Sequence, residues 1–171
     1  MTHSDRMLVF ERWLQAPREL VFAAWTDPAQ LAQWWGPNGF TLSTKQMEAR
    51  VGGTWTFTMH GPDGRDYPNK IIFHELEPPE RLVYQHSNDG ATEPINFSVT
   101  LTLLEEGGGT RLRMEMLFDS AEDLQRVARE YGAIEGAEQT LGRLHQLLAS
   151  LCPAISTVPG MEIVSTRLFP V

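Results

Sequence analysis

The chain has 171 residues, a net charge of −8 and an isoelectric point near 5.1, a size that fits one domain with a real core and interior to spare for a ligand. Its 14 basic residues are spread thinly, without the clustered Lys and Arg that drive binding to phosphate backbones, so no nucleic-acid partner is expected. A single cysteine, Cys152, excludes an internal disulfide, no run reaches the roughly 18 apolar residues of a membrane span, and Met1 to Arg6 carries no apolar signal core, so the expected location is cytoplasmic.

In chain order, residues 7–14 alternate loosely, are rich in Leu, Val, Phe and Trp, and read as a first strand. Ala16-Pro17 ends it. Pro17 is well placed at a helix start, and Leu20, Val21, Phe22 and Trp25 follow at helical spacing over 18–25. A second short helix is expected over 28–35, with Asp27 as its N-cap and Gly36-Pro37 as its stop, the two helices forming a V. From Phe40 the period becomes two. Residues 40–49 read as a strand and Val51-Gly52-Gly53 as a turn. Trp55, Phe57 and Met59 then alternate with Thr54, Thr56, Thr58 and His60. Gly61-Pro62-Asp63-Gly64 closes a hairpin into 65–77, Pro78-Pro79 ends that strand, and 81–86 makes the next. Phe97, Val99, Leu101 and Leu103 alternate with hydroxyls, and Leu112, Met114, Met116 and Phe118 alternate with charges across a glycine turn. Each strand of this meander has one apolar face that something must cover.

The cover is a single long helix expected over 120–151, with apolar positions at Leu124, Val127, Ala128, Tyr131, Ile134, Leu141, Leu144 and Leu148. Gly132 and Gly136 interrupt it, and each glycine in a helix interior costs roughly 1 kcal/mol relative to alanine, a hint that room is being left for something. Glu135 and Glu138 fall close to the apolar stripe. The fold class is therefore α+β: a curved antiparallel sheet of about six to seven strands wrapped round a long C-terminal helix, with two short helices between strands 1 and 2.

These residues carry a resemblance. Ala16-Pro17-Arg18-Glu19-Leu20-Val21-Phe22, Trp25-Thr26-Asp27-Pro28 and Trp34-Trp35-Gly36-Pro37 resemble the opening of the activator of heat-shock protein 90 ATPase homologue family, within the SRPBCC or START-like helix-grip superfamily. Gly52-Gly53-Thr54-Trp55, Pro78-Pro79-Glu80-Arg81-Leu82 and Gly132 through Gly136 to Gln139-Thr140-Leu141 match further signatures in order. The resemblance covers residue 7 to about 151 and makes 1–151 one helix-grip domain. It implies a deep cavity between sheet and helix holding a small apolar molecule such as a lipid, sterol or polyketide, with no cofactor and no catalysis required.

The faces say which side chains would line such a cavity. Trp55, Phe57, Met59, Tyr67, Ile71, Phe73, Tyr84, Phe97, Val99, Leu112, Met114 and Met116 point inward from the sheet by parity, with Asn69 and His86 on the same faces. Tyr131, Glu135 and Gln139 would join them from the helix, and Trp34 from the pocket rim. Singly, each is as well explained by core packing, so the expectation concerns the set. A buried Glu135 needs a partner, water or a ligand.

Other chemistries are weighed and set aside. His60 and His74 fall on outward faces, no metal-ligand spacing occurs, and no nucleophile elbow, phosphate loop or dinucleotide fingerprint is present. Two alternatives to ligand binding stand. One is a stress-response or chaperone-linked interaction module, although chaperone activators carry a further N-terminal domain and here the first strand begins almost at residue 1. The other is a cyclase- or hydrolase-like enzyme using Glu135 with His86. Residues 152–171 form a linker and a tail, and residues 161–170 repeat the pattern of the first strand: Leu8, Val9, Arg12 and Leu14 align with Ile163, Val164, Arg167 and Phe169. The tail reads as the start of a second, truncated copy and offers a route to a homodimer by adding to a sheet edge.

Overall fold

The computed structural model describes residues 5–88 and 95–151; the strand-like tail lies outside the described residues. Among these, seven strands form one sheet: β1 (Met7–Leu14), β2 (Thr41–Met47), β3 (Thr54–His60), β4 (Asp66–Glu77), β5 (Arg81–Ser87), β6 (Asn96–Glu106) and β7 (Gly109–Phe118). Their spatial order is β1-β7-β6-β5-β4-β3-β2, every pair antiparallel. Consecutive strands are thus neighbours except for the first, which closes on the last. Short turns and period-two alternation dictate this meander.

Two short helices, α1 (Arg18–Thr26) and α2 (Pro28–Trp34), follow β1. Asp27 joins them: its carboxylate accepts from the Ala29 backbone N–H at 3.1 Å, so it caps α2 as expected, with Pro28 at the position where no amide donor is needed. β2 is shorter than the expected 40–49, because Glu48 and Arg50 turn the chain, the Arg50 amide bonding to the Glu48 carbonyl at 2.9 Å.

The single long helix expected over 120–151 is instead two helices, α3 (Ala121–Tyr131) and α4 (Ala133–Leu151). Gly132 separates them in the left-handed conformation, φ 59° and ψ 42°, which a side chain adopts only at a cost of roughly 1–2 kcal/mol. Ser120 caps α3 by accepting from the Asp123 amide at 3.0 Å.

The core lies between the inner face of the sheet and the helices. Leu141, Leu144 and Leu148 of α4 pack down with Val21 and Trp25 of α1, Leu31 and Trp34 of α2, and inward residues such as Leu101, Leu103, Leu112 and Phe118. The opposite face of the sheet is polar. There Arg113 bridges Glu11 at 2.6 Å and Glu115 at 3.1 Å, and Arg111 meets Glu106 at 2.6 Å. Such exposed pairs are screened by solvent and contribute little, so apolar burial on the inner face decides which way the sheet curls.

Candidate functional site: a cavity behind the helix break

A cavity of about 230 Å³ opens between the sheet and the junction of α3 with α4. Tyr84 and His86 of β5, Phe97 and Val99 of β6, and Met114 and Met116 of β7 form its floor. Sheet register assembles them: Tyr84 pairs with Val99, His86 with Phe97 and Val99 with Met116, so one parity choice on each strand turns all six inward. Met59 of β3 forms one side. The opposite wall is Trp25, Trp34, Trp35, Gly36 and Pro37, and the roof is Tyr131, Gly132, Ala133, Gly136, Ala137, Thr140 and Leu141.

The helix break makes the roof thin. A methyl group on Gly136 would stand 3.3 Å from Pro37 Cγ, closer than ordinary van der Waals contact, so a glycine lets α4 approach the loop after α2. Arg143 fastens that approach. Its Nη1 donates to the carbonyls of Gly36 at 2.8 Å and Pro37 at 3.1 Å, more weakly to Trp35 at 3.5 Å, and Nη2 donates to Gln33 at 3.3 Å. These are carbonyls at and beyond the C-terminal end of α2, which carry partial negative charge and lack partners within the helix. Replacing Arg143 with Met, which keeps the aliphatic stem, is expected to cost about 2 kcal/mol, since charge-assisted bonds contribute about 1.5–3 kcal/mol and partial solvent exposure screens this group. Urea unfolding of the variant measures it; a loss below about 0.5 kcal/mol would show the clamp to be ornamental to stability.

Polar groups in the cavity are few. Burial pushes the His86 imidazole down to about 4 and lifts the Tyr84 phenol well above its ordinary value. Asn69 fixes the tautomer of His86. Its Nδ2 donates to the Tyr67 carbonyl at 2.8 Å, an oxygen that only accepts, which leaves Oδ1 facing His86 Nε2 at 3.0 Å. The Nε2 therefore carries the proton and Nδ1 carries a lone pair. The Trp25 indole N–H lies near enough to the Tyr84 oxygen to offset part of the rise in its pKa, but falls short of hydrogen-bond geometry and has no other acceptor among the described residues. Thr140 turns its hydroxyl back to the Gly136 carbonyl at 2.7 Å.

Of the side chains expected to line a pocket, Trp34, Met59, Tyr84, His86, Phe97, Val99, Met114, Met116 and Tyr131 border this cavity. Tyr67 and Asn69 border instead a second, more polar hollow of about 610 Å³ with Phe40, Arg65, Asp66 and Glu130, which adjoins the first at Pro37, Met59 and Tyr131. Trp55, Phe57, Ile71, Phe73 and Leu112 are buried but line neither. The parity is right for Trp55 and Phe57, yet Trp35 lies across both, with ring centroids 5.0 and 6.1 Å away. Ile71 and Phe73 continue that packed region along β4, and Leu112 faces Leu103 farther along the sheet.

Glu135 and Gln139 are corrections. Both are exposed and neither lines the cavity. Carrying the apolar stripe of α3 straight through residue 132 places Glu135 inward. The break at Gly132 instead lets α4 turn Ala133, Gly136, Ala137, Thr140, Leu141 and Leu144 to the interior, and Glu135 falls on the far side. Gln139 serves the rim, its Oε1 accepting from the Asn38 amide at 3.1 Å. Glu135 and His86 consequently do not meet in the cavity. The residues missed by sequence reasoning are mainly Trp25, Trp35, Gly36, Pro37, Ala133 and Ala137, whereas Gly132 and Gly136 were expected to leave room. The signal available for them was the spacing of Trp25, Trp34 and Trp35, whose rings stack edge-on at 4.7 and 5.3 Å. Among the described residues no cluster of potential metal ligands occurs, and no helix is long and apolar enough to cross a membrane.

Comparison with known proteins agrees with this architecture. No curated protein matches the chain. Among solved structures, protein Ms6760 from Mycobacterium smegmatis is 28% identical, with a TM-score of 0.78 over 87% of this chain and 94% of its own. A protein from Rhodobacter sphaeroides is 31% identical, with a TM-score of 0.74 over 88% of this chain and 97% of its own. The AHSA1 protein from Silicibacter pomeroyi is 26% identical, with a TM-score of 0.69 over 84% and 97%. The family model described as "Activator of Hsp90 ATPase homolog 1-like protein" matches residues 15–149, and the chain belongs to that family, with its START-like helix-grip fold.

Proposed function

We propose that this protein binds a small, uncharged, predominantly apolar molecule in the cavity behind the helix break, and that binding rather than catalysis is its role. The observation that carries the reading is the lining: about 230 Å³ walled by aromatic, Met, Val, Leu, Ala and Pro side chains, with not one Lys, Arg, Asp or Glu among them. Ligand sites take this form, an apolar enclosure with a few placed polar groups. A reaction needing a pocket acid finds none there, since Glu135 sits outside.

Met114→Trp tests the proposal by putting a larger ring into the cavity floor. Overpacking costs about 1–3 kcal/mol, so the variant is expected to fold. Binding of the neutral fluorophore N-phenyl-1-naphthylamine should fall at least about tenfold, the equivalent of about 1.4 kcal/mol. Wild-type protein that takes up none of this dye, or a folded variant that binds it unchanged, would overturn the assignment.

A further inference from the structure

We propose that the ligand is a compact aromatic hydroxyl compound, a neutral phenol-type molecule of one or two rings, whose hydroxyl is read by Tyr84 and His86. The inference rests on the binding role proposed above and narrows it. Three observations carry it.

The first is size and wall chemistry. At ~30 Å³ for each water-sized volume, 230 Å³ holds about eight. That is room for one or two fused rings; a sterol or a long acyl chain would have to run on past Met59 and Tyr131 into the more polar hollow. Seven aromatic or imidazole rings face this space, from Trp25, Trp34, Trp35, Tyr84, His86, Phe97 and Tyr131. Their mutual packing is tilted or edge-on, as between His86 and Phe97 at 4.9 Å, and an aromatic guest extends the same pattern.

The second is charge. Desolvation holds His86 unprotonated and Tyr84 protonated near pH 7, and the lining has no Lys, Arg, Asp or Glu. A carboxylate or ammonium placed inside would be buried without a counter-charge, which is among the costliest events in a protein interior.

The third is direction. His86 and Tyr84 stand two residues apart on β5 and so on one face, about 6.6 Å apart along the strand. His86 presents an acceptor, because Asn69 holds the proton on Nε2 and leaves Nδ1 without a partner among the described residues. Tyr84 presents a donor. The group beside its oxygen is the Trp25 N–H, itself a donor that cannot accept the phenolic hydrogen, which leaves that hydrogen for a guest. One acceptor beside one donor is the complement of a single hydroxyl, which gives its proton to Nδ1 and takes the Tyr84 O–H on its oxygen. A hydrocarbon would leave both groups dry and unpaired, and a site built on such groups discriminates against a guest lacking the hydroxyl.

Calorimetric titration with naphthalene, 1-naphthol and 1-naphthoate separates these demands using three guests of nearly one shape. The expected order is 1-naphthol about tenfold tighter than naphthalene, with 1-naphthoate weakest. Tyr84→Phe and His86→Phe keep a ring at each position and should each bring the ratio of 1-naphthol to naphthalene affinity close to one. As a readout independent of the variants, imidazole ¹⁵N resonances of wild-type protein should show the Nε2–H tautomer, with the Nδ1 signal moving on addition of 1-naphthol and not of naphthalene. Equal affinities for naphthol and naphthalene, or tightest binding of naphthoate, would overturn the hydroxyl assignment and leave apolar binding standing. Uptake of none of the three would overturn the binding role itself.

Discussion

Trp34→Ala is expected to destabilise the protein by about 4 kcal/mol, since removing a fully buried tryptophan costs about 3–5 kcal/mol. Trp34 has no exposed surface, stacks edge-on against Trp25 and Trp35, and donates its indole N–H to the Ala24 carbonyl at 3.0 Å. The truncation thus removes apolar contact and leaves a buried carbonyl unpaired, a further penalty of about 1–3 kcal/mol that local water entry offsets in part. The surrounding elements have little freedom to collapse, because α2 is held at one end by the Asp27 cap and at the other by Arg143. Trp34→Phe separates the two contributions. It keeps a ring and loses the N–H, and should cost about half as much. Thermal and urea unfolding of the three proteins measure the differences; a Trp34→Ala loss below 1 kcal/mol would mean the indole cluster does not hold α1 and α2 together. Because the void produced is continuous with the existing cavity, naphthalene should recover part of the lost stability, as any guest binding only the native state does.

How much of this was legible in the sequence depended on whether a local rule decided the outcome. Strand alternation from Trp55 to Phe118 set the inward parity of Met59, Tyr84, His86, Phe97, Val99, Met114 and Met116 correctly, because a period of two allows only two answers and the apolar one goes inside. The Asp27 cap followed from chemistry within three residues. Parity does not tell which inward residue faces empty space. Trp55 and Phe57 obey the same alternation as Met59 but lie under Trp35, a residue far away in sequence that the V of α1 and α2 swings over them. Gly132 shows a different limit. A glycine inside an apolar-periodic stretch is compatible with a continuous helix at roughly 1 kcal/mol, and equally with a left-handed break. The break was settled by the fit of α4, through Gly136 and Arg143, against Pro37, and it also decided that Glu135 faces water. The errors at 132 and 135 are therefore one error.

Between pH 6.5 and about 4 the protein is expected to lose about 3 kcal/mol of stability through His86 alone. An unfolded histidine titrates near 6.5, and burial in the cavity floor lowers the folded value to about 4. The sign follows from proton uptake. Inside this window the unfolded chain binds the proton and the native chain does not, so stability is complete above the unfolded pKa and drains away as pH falls toward the folded one. A shift of about two and a half units corresponds to roughly 3 kcal/mol at 1.36 kcal/mol per unit. His145 is displaced in the same direction by burial and by Arg12, and contributes its own slope. Glu106, lowered by Arg111, acts at more acidic pH and on a fully exposed pair. The difference between wild type and His86→Phe isolates the cavity histidine: urea unfolding at pH 7 and pH 4.5 should show a much steeper loss for wild type. Parallel losses would mean that the imidazole is already in contact with water in the native state. An uncharged guest that takes up His86 Nδ1 strengthens the neutral form, so 1-naphthol should push the acid limb of the wild-type curve to lower pH, whereas any 1-naphthol still bound by His86→Phe should raise its stability equally at pH 7 and pH 4.5.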